Sequence, residues 1–458
     1  MLPDVALLEI FDFYMGGYGI EKWHTLVHVC RKWRIVVFGS QRRLNLRLLC
    51  TARTPTKELL DVWPQLPIVL WADGHEKWGV DNIIDALEHN DRIYQLRFTS
   101  IPNSQLEPVL AAMQQPFRTL TDLYLEPADH TAPIVPPSFL GVSAPRLQKL
   151  TLHRILFPGL PKLLLSATHL VDLEIWGIPY SGHFSPEAII TGLSALIRLK
   201  NLEIAFEYPR GSSGWESQPP PPPTRILLPI LNTLRLRGVG KYMDDLVARI
   251  DAPLLDNVDI TFFRQFNAPQ VTQFISRTPK LMAHGDEARV VFYPISGGVW
   301  DIWVSLLRAK LRLGTSCRPS NLVSSLAQIC RWSFPRDLIS AVEHLYIFPH
   351  PYVPDNTGLE VSPWLDLLHP FTAVKNLYIS EDFVPHLASA LQEIVGERVT
   401  EVLPALKSLF LEGTLPPGPI LKAIGQFVVA RHLSGHPIAV FRWKFECMTN
   451  VFNDEFSC

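Results

Sequence analysis

Leu147-Gln148-Lys149-Leu150-Thr151-Leu152 is one copy of a six-residue pattern, L-x-x-L-x-L, that runs through most of the chain. Further copies occupy residues 120–125, 170–175, 199–204 and 231–236, weaker ones 93–98 and 255–260, and three more 342–347, 374–379 and 406–411. The central positions 96, 123, 150, 173, 202, 234 and 258 are 27, 27, 23, 29, 32 and 24 residues apart, and Leu345, Leu377 and Leu409 are 32 and 32 apart. Such self-similarity marks a repeat architecture, in which one supersecondary unit recurs along the chain. In each copy the last two apolar residues flank a polar or aromatic one, the period of a short strand with one buried face.

Between the copies, residues 80–89, 106–114, 244–250, 271–276 and 385–395 carry apolar side chains three and four apart, which predicts helices. Pro145-Arg146-Leu147, Pro253-Leu254-Leu255 and Pro404-Ala405-Leu406 stand at the junctions. Proline cannot continue a helix and biases the residue before it to extended geometry, so the unit reads as strand, turn, helix, turn. One such unit cannot hide its own apolar faces, so neighbours must stack, which predicts an α/β fold of short parallel strands and helices. From about residue 80 to 412 the chain resembles a leucine-rich repeat protein. The asparagine or cysteine which that family places three residues past the last leucine is replaced by Ala128, Ile155, Ile178, Glu207, Val239, Asp382 and Thr414. The resemblance therefore implies an irregular solenoid without the family's asparagine ladder. Two stretches break the rhythm. Residues 208–225 join a Gly/Ser segment to five prolines and read as an exposed insertion ending in polyproline II. Residues 296–339 read as an irregular helical insertion, helix-like at 300–313 and 321–332, with at most a degenerate strand at 310–313.

The first 50 residues are of another kind. Pro3 and Asp4 suit a helix start, and Val5, Leu7, Leu8, Ile10 and Phe11 give helical apolar faces up to Gly16-Gly17. A second helix is expected from about Glu21, with Leu26, Val29, Cys30 and Trp33 on its apolar face. The string Leu2-Pro3-x3-Leu7-Leu8-x-Ile10-Phe11, followed by Trp23-x2-Leu26-Val27-His28-Val29-Cys30-Arg31-Lys32-Trp33-Arg34, resembles an F-box. With the repeats behind it, the whole chain is similar to the F-box proteins of filamentous and mushroom-forming fungi. It departs from the pattern after residue 40, where Arg42-Arg43-Leu44-Asn45-Leu46-Arg47-Leu48 alternates like a strand in place of a third helix.

That resemblance implies the substrate-recognition subunit of a cullin-RING ubiquitin ligase, docking on a Skp-type adaptor, and through it on a cullin, while the repeats hold a protein target. By family analogy Leu2, Pro3, Leu7, Leu8, Ile10, Leu26 and Trp33 form the adaptor interface, although each would serve equally as internal core; Val29 and Cys30 are assigned to the core. The domains are then an F-box-like helical domain at 1–50, a connecting segment at 51–79, repeats at 80–412, and a cap and tail at 413–458. The alternative from another class is a repeat scaffold or ligand-binding protein with an F-box-like fold and no ligase role.

Charge and composition fit this reading. With 42 basic and 44 acidic residues the net charge is -2, and 47% hydrophobic residues are ample for a core. Residues 22–57 nevertheless hold nine bases and no acid, which suits an acidic protein partner or a solvated face better than nucleic acid, since stacking aromatics are not interleaved. No apolar run reaches the length of a membrane span, and the start lacks the basic flank of a signal peptide. Six cysteines without Cys-x-x-Cys pairing, and no Asn-x-Ser/Thr site, fit a reducing compartment, so a cytoplasmic or nuclear location is expected.

No catalytic arrangement survives inspection, and an enzyme is not expected. Gly238-Val239-Gly240-Lys241 fails as a phosphate loop because the first glycine would fall at Arg235 and the hydroxyl at Tyr242. The pairs His24/His28 and His432/His436 lack a third ligand, and Cys317, Cys330, His344 and His350 are too widely spaced for a zinc finger, so no metal or cofactor is called for. The residue between the last two leucines of each repeat should line an exposed sheet face: Arg97, Tyr124, Thr151, Glu174, Glu203, Arg235, Asp259, Tyr346, Tyr378 and Phe410. Its aromatic end, Tyr346, Tyr378 and Phe410, is the expected target contact, although aromatics also suit strands and stack across rungs for structural reasons alone.

Overall fold

The computed structural model describes residues 2–15, 22–74, 79–179, 184–209, 225–263, 268–283, 285–295, 298–349, 364–394, 396–413 and 418–443. The expected polyproline II segment, Gly16-Gly17 and His350 lie outside them. The protein is α/β with mostly parallel sheet and divides into two compact units, Met1–Glu207 with Ile226–Leu228, and Tyr208–Arg225 with Pro229–Cys458.

The first unit begins with three helices, α1 (Asp4–Met15), α2 (Lys22–Val29) and α3 (Arg31–Gly39). The single second helix expected from about residue 21 is thus two helices. Cys30 is extended at φ −159° and ψ 167°, and Arg34 Nε donates to the Val27 carbonyl at 3.0 Å, giving an orphan carbonyl at the end of α2 a side-chain donor. No Gly or Pro marks that break, which is why periodicity runs straight across it. Val29 and Cys30, assigned to the core, are exposed because the break turns them outward. Residues 42–48, read as strand-like, turn through Asn45 in the left-handed region (φ 48°) before the strand begins at Leu48. Trp23 is fully buried, donates its indole N–H to the Arg47 carbonyl at 2.7 Å, and packs edge-on to Phe38 and Trp63 with centroids 5.7 and 5.2 Å away.

Seven parallel strands follow in sequential order: β1 (Leu48–Cys50), β2 (Ile68–Asp73), β3 (Ile93–Ile101), β4 (Asp122–Pro127), β5 (Lys149–His153), β6 (Asp172–Ile178) and β7 (Asn201–Phe206). The repeat sets the register, Leu96 opposite Leu123, then Leu150, Leu173 and Leu202. These leucines are buried together with the inner faces of the connecting helices, such as Ile83, Ala86 and Leu87 of Val80–Leu87. Junction groups are satisfied by main chain in place of an asparagine ladder. Gln148 and Lys149 N–H converge on the Thr121 carbonyl at 2.7 and 3.0 Å, and Val171 and Asp172 N–H on that of Gln148 at 2.8 and 3.0 Å. At the substituted position past the strand, Ala128 N–H donates to the Ile101 carbonyl at 2.8 Å. Buried turn carbonyls left over are collected by guanidinium groups, as Arg92 does with Pro64 and Leu66.

β8 (Ile226–Leu227) closes the first unit's share of the chain, and the second contains β9 (Thr233–Val239), β10 (Ile250–Asp251), β11 (Asn257–Phe263), β12 (Glu287–Pro294), β13 (Trp300–Leu306), β14 (Leu311–Cys317), β15 (His344–Pro349), β16 (Asn376–Ile379), β17 (Ser408–Glu412) and β18 (Ala439–Trp443). Its main sheet runs β9-β11-β14-β13-β12-β15-β16-β17-β18, all parallel except β13, which is antiparallel to both neighbours. Residues 300–313, expected to be helical, are therefore strand, turn and strand. The strand is buried on both faces, Ile302, Val304 and Leu306 on one and Asp301 and Trp303 on the other, and Lys310 turns the chain at φ 43°. The helix expected at 321–332 is present as Leu322–Trp332. A buried network fastens β13: Arg237 of β9 holds Asp301 by two hydrogen bonds at 2.8 and 3.0 Å, and Ser316 of β14 donates to the same carboxylate. Burial raises the Asp301 pKa above the usual carboxylate range even beside Arg237.

Candidate functional site

α1 is apolar nearly all round, and one unit can cover only one side of it. Leu7 and Phe11, four apart, face inward, and Phe11 meets Trp33 of α3 at 4.8 Å. Leu2 (54% exposed), Ile10 (48%) and Phe13 (91%) face solvent, as do Val29 (55%) and Ile35 (62%) of the neighbouring helical turns. Of the seven expected adaptor contacts, Leu2, Pro3 and Ile10 are exposed, and Leu8 and Trp33 are half-buried. Leu7 and Leu26 are buried in the inner layer of the three-helix packing, the internal-core role the sequence also left open for them. Val5, Phe13 and Ile35, not among the expected contacts, are exposed as well. Their signal was available, since apolar residues on the second face of an already apolar helix have no internal partner.

Several of the bases between residues 22 and 57 pair with acids of the same unit. Lys32 lies 3.0 Å from Asp4, Arg43 bonds Glu9, and Lys57 lies 3.5 Å from Asp85. Lys32 also donates to the Leu2 carbonyl at 3.0 Å, so part of this charge fixes α1 to α3. Arg31 is exposed, one helical turn before Ile35.

In the second unit Tyr346, Tyr378 and Phe410 are brought together on consecutive rungs in direct register. Their rings stack, Tyr346 on Tyr378 at 4.2 Å and 7°, and Tyr378 on Phe410 at 4.4 Å and 11°. β18 adds Phe441, stacked on Phe410 at 5.1 Å, and Trp443, edge-on to Tyr378 at 5.3 Å. The three expected contacts are half-buried; Phe441 and Trp443 of the segment 420–443 pack against them, while its helix Pro419–Leu433 packs on the helix Val384–Gln392. The ladder continues into Val291, Phe348 and Trp303, with Tyr293 packed against them. Burial and Tyr378 push Tyr346 up to about 12, so its hydroxyl remains a proton donor at neutral pH. β18 escaped sequence reading because Ala439-Val440-Phe441-Arg442-Trp443 lacks the repeat's leading leucine.

Gly240 opens the helix Gly240–Ala248, so no phosphate-cradling loop forms there. Cys50 and Cys317 are buried and pushed up to about 11 by desolvation, opposite to an activated thiolate. The acids raised by burial are Asp244, bonded by Val271 N–H, and Asp301, held by Arg237; neither lines the shallow groove formed by Pro269, Thr272, Gln273 and Trp332. Among the described residues no group of three His, Cys, Asp or Glu gathers as a metal set, and no helix is long and apolar enough to cross a membrane. No protein-family model matches the chain, and no curated protein matches it.

Proposed function

We propose that the chain is a non-enzymatic recognition subunit of a cullin-RING ubiquitin ligase. Its N-terminal helices dock on a Skp-type adaptor, and its sheet presents a protein target. The observation that carries this reading is the exposure of large apolar residues on the N-terminal helices, Leu2, Ile10 and Phe13 at α1 and Ile35 on α3, with Arg31 exposed one turn before Ile35. A monomeric surface seldom leaves such residues in one short hairpin without a partner, and an amphipathic helical partner would bury them. The resemblance of residues 2–34 to an F-box names the partner, and the local bases suit an acidic one. Target capture falls to the stacked ladder, because rigid aromatics supply contact area at low entropic cost.

Co-purification tests the docking step. Replacing Ile10 and Phe13 with Asp leaves the helical core intact, since both side chains are outside it, and burying two carboxylates in an apolar contact should weaken adaptor capture by about a hundred-fold or more. Equal capture of the adaptor and cullin by wild type and variant would remove the ligase reading. Loss of target capture on Tyr346→Ala, Tyr378→Ala and Phe410→Ala, without adaptor binding, would then favour a repeat scaffold with no ligase role.

A further inference from the structure

The outward face of β4–β7 differs in chemistry from the aromatic ladder of the second unit. Tyr124, His153 and Trp176 stand on three adjacent strands, Tyr124 to His153 at 5.3 Å and His153 stacked on Trp176 at 5.9 Å and 15°. All three are half-buried, so each offers ring surface to solvent. Carboxylates flank them. Glu126 accepts the Tyr124 hydroxyl at 2.9 Å, and Glu174 accepts from Thr151 at 3.3 Å with Lys149 at 3.6 Å. Glu203 is the next rung in register with Glu174. Adding Asp122 and Asp172, the outward positions of β4–β7 hold five acids against one base, Lys149. Arg97 of β3, in register with Tyr124, lies over the Tyr124 ring at 4.9 Å, so five acids face two bases, Arg97 and Lys149, a net of −3 on this patch where the whole chain carries -2. Arg154, just past β5, is turned to the Pro127 carbonyl and His130. Burial lowers the His153 pKa, so this ring adds no positive charge at neutral pH.

We propose that this face binds an extended protein segment rich in lysine and arginine, its cationic heads lying over the Trp176–His153 surface beside Tyr124, whose ring Arg97 already covers, and drawn there by the carboxylates of Glu126, Glu174 and Glu203. Aromatic faces attract cations through their quadrupole, and nearby carboxylates add Coulomb attraction which a neutral or acidic segment does not receive. Strands spaced about 4.8 Å apart make the patch roughly 14 Å across, the reach of four or five extended residues. The negative field excludes nucleic acid from the same surface. The assignment stands independently of the ligase reading, since it uses neither the N-terminal helices nor the ladder of the second unit.

Fluorescence anisotropy of labelled oligo-arginine and oligo-lysine peptides with the full chain is the test, with oligo-glutamate as the opposite-charge control. The cationic peptides should bind and the acidic one should not. The triple variant Glu126→Gln, Glu174→Gln, Glu203→Gln should weaken binding about ten-fold. Trp176→Ala, which leaves the charge untouched, should weaken it about three-fold. A charge-matched triple elsewhere, Glu88→Gln, Glu107→Gln, Glu393→Gln, should stay near wild type. No binding by wild type at low salt, equal weakening by the two triples, or an unchanged Trp176→Ala would each overturn the proposal. If the face triple melts below wild type, the single variants Glu174→Gln and Glu203→Gln replace it, each expected to weaken binding about two-fold or more.

Discussion

Asp244 sits buried in the helix Gly240–Ala248, and its Oδ1 accepts the Val271 N–H at 2.9 Å. Burial raises its pKa from 3.8 to about 6, against the pull of the backbone hydrogen bonds. The folded chain therefore holds this proton more tightly than the unfolded chain does, and its contribution to stability falls as pH rises between these two values. Asp244→Asn keeps an acceptor for Val271 without the charge. At neutral pH the variant should be more stable than wild type by on the order of 1 kcal/mol, with the difference vanishing near pH 4. Urea unfolding at a series of pH values measures it. A variant less stable at neutral pH, with the wild-type pH slope, would mean that ionised Asp244 serves the N-terminus of the helix Pro269–Ser276 more than burial costs it. None of this was legible beforehand, because an aspartate inside an amphipathic pattern does not disclose which neighbour will cover it.

The strand pair β13–β14 is held by close backbone approach as well as by its ion-pair network. A Cβ on Gly314 would lie 2.6 Å from the Ile302 carbonyl oxygen and 2.7 Å from Trp303 Cβ, so the side chain is absent where the neighbouring strand needs the space. Gly314→Ala should destabilise the protein by about 2 kcal/mol or more. Gly425, in the helix Pro419–Leu433, meets nothing within 4 Å, and Gly425→Ala should stabilise by about 0.5–1 kcal/mol through helix propensity. Urea midpoints moving in opposite directions for the two variants would bear this out, and a neutral Gly314→Ala would show that β13 shifts freely. The pattern of residues 300–313 was compatible with a helix because Trp300, Trp303, Leu306 and Leu307 also recur at three and four; the alternation that won places Trp303 with Val291 and Phe348 on the other face.

Where strand-helix units stack on one another, the ends matter more than any single rung. Terminal repeats must close the apolar faces that inner repeats close for one another. In the second unit this falls to residues 418–443: Ala423, Ile424 and Phe427 are buried where the helix Pro419–Leu433 meets the helix Val384–Gln392, and β18 pairs with β17. A chain ending at residue 413 should expose Leu387, Leu391, Leu409 and Leu411, lose several kcal/mol at roughly 25 cal/mol per Å² of apolar area, and bind a hydrophobic dye. An unchanged urea midpoint with no dye binding would show that the repeats are self-sufficient without this cap.

By itself the sequence determined the strands of the repeat and their register, because a leucine every second position at the end of each copy can be buried on one sheet face only. It also determined that Tyr346, Tyr378 and Phe410 would share a row, since equal spacing of 32 residues puts equivalent positions opposite one another. Tertiary structure decided what local patterns leave degenerate. The break at Cys30 depends on Arg34 supplying a donor to Val27, and the place of β13 depends on Asp301 finding Arg237 sixty-four residues away. Leu7 went inward and Phe13 outward, though both are apolar residues of one helix, because burial is settled by which neighbours close over each face. A repeat announces itself through periodicity, which is local along the chain, whereas buried ion pairs, guanidinium-capped turns and uncovered faces are properties of residues that meet only when the chain has folded.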